Sequence, residues 1–189
     1  ARVRKSLCTL RMVSDSKRSP EKSLELAQKI LPEIKDEAAF PKIREELASI
    51  LPDIAEGFAI EASDAGTTSE AEAFLVKVDE ALVLVHNQEY VPPSLLRSRQ
   101  NQLERIGETT TLVRRGINQE RDLLTAVRHI AELIARGQTR EAYETRDKLL
   151  AEYPRLENDS RLTEQVEKIS QKERSQVTTV AGEMLGGGD

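Results

Sequence analysis

From Asn118 to Gly137 the apolar residues fall at Leu123, Leu124, Val127, Ile130, Leu133 and Ile134. Steps of three and four residues put all of them on one face of a helix, because each residue turns the chain by about 100°. An alternating strand cannot use that spacing. Gly137 then offers the left-handed stop that ends many helices. The same period returns at Ala142, Tyr143, Leu149 and Leu150, with Thr139 read as the N-cap and Pro154 as the break. It returns again at Leu162, Val166 and Ile169, after a start near Ser160. The short connections favour antiparallel neighbours. Composition agrees with a helical chain, since 32% of residues are charged, only 3% are aromatic and tryptophan is absent. The sequence therefore specifies an all-α fold, with seven or eight helices and no convincing strand.

Comparison of the sequence with itself suggests an internal copy. A shift of 119 residues lays Ile30 and Leu31 on Leu149 and Leu150, Ile34 on Tyr153, Ile43 on Leu162, Leu47 on Val166 and Ile50 on Ile169. Glu25, Lys29, Glu33 and Glu45 meet identical residues at Glu144, Lys148, Glu152 and Glu164. A shift of 120 places Val3, Leu7, Leu10 and Val13 on Leu123, Val127, Ile130 and Leu133. The one-residue difference falls in the connection, where insertions are tolerated. Residues 1–51 and 119–175 thus read as two copies of a helical unit, separated by an irregular middle over 52–118. In that middle, Asp64 to Thr68 reads as a loop, Ser69 to Glu72 as a capping box, and Pro52 to Ser63 as a short separate helix. Phe74, Leu75, Val78, Leu82 and Val85 form the next helix, broken at His86 to Pro93. A further helix starts at Leu95 and ends by Gly116. Residues 176–189, ending in Gly186-Gly-Gly-Asp189, read as a flexible tail, and the alanine start suggests a piece of a longer protein.

Gly137, Ala142 and Pro154 stand at three marker positions of a tetratricopeptide unit. The segment Gly137 to Pro154 resembles that family: glycine in the inter-helix turn, alanine five residues on and proline twelve beyond. Each position has a physical reason. Glycine permits the tight turn, alanine lets two helices approach, and proline ends the second helix. The pattern departs from the family at Ala126, Ile130 and Arg146, and in the N-terminal copy at Ser23 and Lys35. The resemblance implies antiparallel hairpins stacked as a short right-handed α-solenoid whose concave face receives a protein or peptide.

Several chemistries lack their residues. His86 and His129 are the only histidines, so a three-histidine metal site cannot be built, and neither follows a glutamate at the spacing of di-iron bundles. His86 reads as a solvent-exposed residue before a loop, and His129 as packed at the edge of the apolar face. Cys8 is the only cysteine, which rules out an intramolecular disulfide and a multi-cysteine zinc site. No phosphate-cradling glycine loop and no Gly-x-Ser-x-Gly elbow occur. The longest apolar run, Ala81 to Val85, falls far short of the roughly 18 residues that cross a bilayer. No targeting segment is legible, and both cytoplasmic and exported locations stay open. No catalytic residue, cofactor or metal is assigned.

Charge is uneven along the chain. Residues 1–22 carry seven basic and two acidic side chains, and residues 32–81 carry thirteen acidic and four basic. Seven arginines between 97 and 128 add a basic stretch, a weak pointer to nucleic acid without interleaved aromatics for base stacking. The leading expectation is a non-catalytic interaction or scaffolding module. A structural spacer between domains and a basic-patch nucleic-acid binder are the alternatives. In tetratricopeptide arrays the first helix of each pair lines the concave face, so the resemblance makes Arg121, Thr125, Arg128 and Glu132 candidate partner contacts. These four lie within about 60° on one side of their helix. The competing reading is a solvated ladder of Arg128, Glu132 and Arg136.

Overall fold

The computed structural model describes residues 8–12, 19–35 and 40–186, with side chains described as far as Ala181. The described residues are mostly helical and contain no strand. Residues 8–12 are helical, followed by α1 (Pro20–Ile34), α2 (Phe40–Asp64), α3 (Thr68–Val85) and the single turn α4 (Pro93–Leu96). A 3-10 turn (Arg97–Arg99) leads into α5 (Gln100–Ala135). After it come α6 (Thr139–Glu152), a second 3-10 turn (Pro154–Asn158) and α7 (Ser160–Gly186). The chain divides into two compact units, Ala1–Ile117 and Asn118–Asp189, and the division falls inside α5.

Three helices are longer than the sequence suggested. Pro52 does not separate two helices but sits buried inside the 25-residue α2. Proline removes one donor from the helix ladder, a cost of about 3 kcal/mol. Burial of Ile50, Leu51, Ile54 and Phe58 on either side of it offsets that loss. Gly116 likewise fails to end a helix, and α5 continues for 36 residues to Ala135. Residues 176–186, read as tail, belong to α7. The first helix of the N-terminal copy, marked by Val3, Leu7, Leu10 and Val13, lies outside the described residues except for 8–12.

In the N-terminal unit α1 packs on α2, and α2 on α3. The core takes Leu24, Ala27, Ile30, Leu31 and Ile34 from α1, and Ile43, Leu47, Leu51, Ile54 and Phe58 from α2. Val78, Ala81 and Val85 from α3, Val91, Ile106 from α5 and Leu10 also contribute to it. A smaller cluster joins Ala62, Ala71, Leu75 and Ile117. The cap of α3 falls on Thr67, not Ser69: the Thr67 hydroxyl oxygen accepts from the Glu70 backbone N–H at 3.2 Å. Asn87 organises the loop after α3 by accepting from the Glu89 N–H at 3.0 Å. Arg44 secures that loop from α2. Its guanidinium donates to the Glu89 carbonyl at 2.8 and 2.5 Å and lies 4.9 Å over the Phe40 ring.

The C-terminal unit has its own core of Leu123, Ala126, Ile130, Leu133, Ala142, Leu149, Leu156, Leu162 and Ile169. Gly137 adopts φ +77°, and the Gln138 N–H donates to the Leu133 carbonyl at 2.9 Å while the Gly137 N–H donates to that of Ile134 at 3.0 Å. This paired closure ends α5 and requires a left-handed residue. A Cβ there would also stand 2.9 Å from Gln176 Nε2. Gly137→Ala is therefore expected to lower the stability of this unit by about 1–2 kcal/mol, measured by urea denaturation. The helix after the turn begins at Thr139 with Gln138 as its N-cap, one residue earlier than the sequence suggested. Ala142 is 0% exposed. Leucine at that position overpacks the helix contact, so Ala142→Leu is expected to cost about 1–3 kcal/mol in the same assay.

Candidate functional site

Burial of Leu123, Ala126, Ile130 and Leu133 turns the other side of α5 outward in the C-terminal unit. Arg121, Thr125, Arg128 and Glu132 are all exposed there. Leu124, read from its spacing as part of the apolar face, is 51% exposed beside them. The apolar face is narrower than the sequence pattern because Leu124 stands about 100° round from Leu123. Glu132 lies 4.0 Å from His129 Nδ1, an i,i+3 neighbour, and His129 is half-exposed instead of packed at the apolar edge.

Thr125 opens into a groove of about 290 Å³ between α5 and α6. Asp122, Thr125, Ala126 and His129 line one side, and Thr145, Lys148, Leu149 and Glu152 the other. Ala126 and Leu149 are buried and form an apolar floor, whereas the rim is polar. Of the four candidate contacts only Thr125 lines this groove. Arg121, Arg128 and Glu132 stand on the outer surface of α5.

One end of the groove is braced by hydrogen bonds. The Tyr153 hydroxyl donates to Asp122 Oδ2 at 2.7 Å, which pushes the phenol up to about 12, since ionisation would lose that bond and set two anions together. Absorbance titration at 295 nm should therefore resolve one tyrosine ionising near 12, and Asp122→Asn should bring it down toward the ordinary value of about 10.

Below this, Arg161 binds two carboxylates. Its Nη1 and Nη2 donate to Glu120 at 2.5 and 3.0 Å, and its Nε and Nη2 donate to Asp159 at 3.0 and 2.9 Å. Asp159 also caps α7, accepting from the Arg161 backbone N–H at 2.9 Å. The Arg161 guanidinium holds the Asp159 carboxyl below the ordinary aspartate range. An aspartate just ahead of a helix start is a legible capping signal. The bond from Arg161 to Glu120, 41 residues apart in sequence, is not.

Elsewhere, three of the seven arginines between 97 and 128 make contacts within the N-terminal unit. Arg99 donates to Ser49, Arg105 pairs with Glu56 at 3.2 Å and Arg114 with Asp79 at 2.9 Å. Among the described residues no three His, Cys, Asp or Glu side chains gather as a metal-binding group, and no helix is long and apolar enough to cross a membrane. The basic stretch at 1–22 lies partly outside the described residues. No family model, curated protein or solved structure matches the chain.

Proposed function

We propose that the chain is a non-catalytic protein-interaction or scaffolding module that receives a partner segment along α5 and α6 of its C-terminal unit. The observation that carries this reading is the groove itself: an apolar floor of Ala126 and Leu149 under a polar rim of Asp122, Thr125, Lys148 and Glu152. Buried apolar anchors inside a polar margin are the usual composition of a protein contact. The resemblance of Gly137 to Pro154 to a tetratricopeptide unit supports it, with α5 and α6 as one hairpin of a short right-handed solenoid. Internal use of Arg99, Arg105 and Arg114 weakens the nucleic-acid alternative.

A spacer role is favoured by one separate observation, the 36 uninterrupted residues of α5. The paired substitution Thr125→Arg and Arg128→Glu distinguishes the two. Both positions are exposed, so helicity and melting should hold. Loss of a partner retained by the parent chain in affinity capture supports the interaction module. Retention of every partner leaves the spacer.

A further inference from the structure

The N-terminal part of α5 carries a second exposed face. Gln102, Ile106, Thr110 and Ile117 are buried on one side. Glu104, Gly107, Glu108, Thr111, Leu112 and Arg115 are exposed on the other, where they line an open concavity of about 640 Å³. Leu112 is 66% exposed, a large apolar side chain left in water. A Cβ placed at Gly107 would meet nothing within 4 Å among the described residues. With no side chain, Gly107 leaves room for another helix to approach this face closely.

Charge order along this face selects the occupant. Read from Glu104 through Glu108 and Thr111 to Arg115, it runs acid, acid, hydroxyl, base. A second copy of the same face, laid antiparallel about a two-fold axis between Thr109 and Thr110, sets Glu104 opposite Arg115 of the second copy, and by symmetry does so twice. Glu108 then meets Thr111 of the second copy, and no like charges are opposed. A parallel arrangement would set Glu104 against Glu104 and Arg115 against Arg115. In an antiparallel pair like flanks face each other, so both copies of Leu112 share one side of the seam. On the other side, Gly107 removes the side chain that would hold the helices apart.

We propose that this face of α5 associates two copies of the chain as an antiparallel, two-fold pair. Such a face is small and partly polar, so the dimer is weak and salt-sensitive. Sedimentation equilibrium of the full chain in low salt, from about 10 µM to about 1 mM, is expected to show the mass rising from 21.2 kDa toward twice that value. Glu104→Arg and Arg115→Glu, both at exposed positions, should each weaken association about tenfold or more, with helicity unchanged. Mixing the two single variants in equal amounts restores complementary charges and should recover the dimer, as should both substitutions in one chain. A monomer across the whole range would overturn the proposal. So would a dimer indifferent to either reversal, or a mixture that fails to associate.

Discussion

Phe58→Ala is expected to lower the stability of the N-terminal unit by about 3–5 kcal/mol. Phe58 is 1% exposed and is the largest of the fully buried side chains. It belongs to α2, the helix that packs against both α1 and α3, and to the core cluster to which all three helices contribute. Its neighbours in the cluster are mostly branched aliphatic residues on rigid helices, which collapse poorly into the space left by a ring. Urea denaturation followed by circular dichroism measures the loss. A change below about 1 kcal/mol would mean that α2 is not the packing centre of this unit.

Leu162→Ala should have the next largest effect, about 2–5 kcal/mol, in the C-terminal unit. Leu162 is 1% exposed at the start of α7, immediately after the Asp159 cap and the Arg161 bridge to Glu120. Truncating it opens the core where α7 is anchored, and its cluster contains no residue of the N-terminal unit. Hydrogen exchange should therefore show protection lost across α6 and α7 to a greater degree than across α1 to α3. An equal loss in both regions would contradict two separate cores.

How far the sequence discloses this molecule depends on the range of the interaction involved. The helix face through Leu123, Val127, Ile130 and Leu133 is legible because burial follows the period of the helix itself, and the turn at Gly137 is legible because left-handed backbone strongly favours glycine. Interruptions are less legible. Pro52 and Gly116 look like breaks, yet surrounding burial carries the helix through Pro52 and nothing near Gly116 opposes continuation. Cap positions shift by one or two residues, as at Thr67, because several neighbouring hydroxyls compete for the same role. Bonds between distant residues, such as Arg44 to the loop after α3 or Tyr153 to Asp122, leave no periodic trace. The candidate contact Thr125 was legible from its place on the exposed stripe, but the groove it enters was not, since that needs α6 laid beside α5.

Partner binding in the α5–α6 groove is tested most directly by photo-cross-linking. A photoreactive amino acid placed in turn at Thr125, at Lys148 across the groove, and at exposed Thr178 on α7 is irradiated in extract of the source cells. The expected result is one and the same protein joined at Thr125 and at Lys148 and absent at Thr178. Different proteins at the two groove positions, the same pattern at all three, or no adduct at either groove position would contradict a partner seated between α5 and α6.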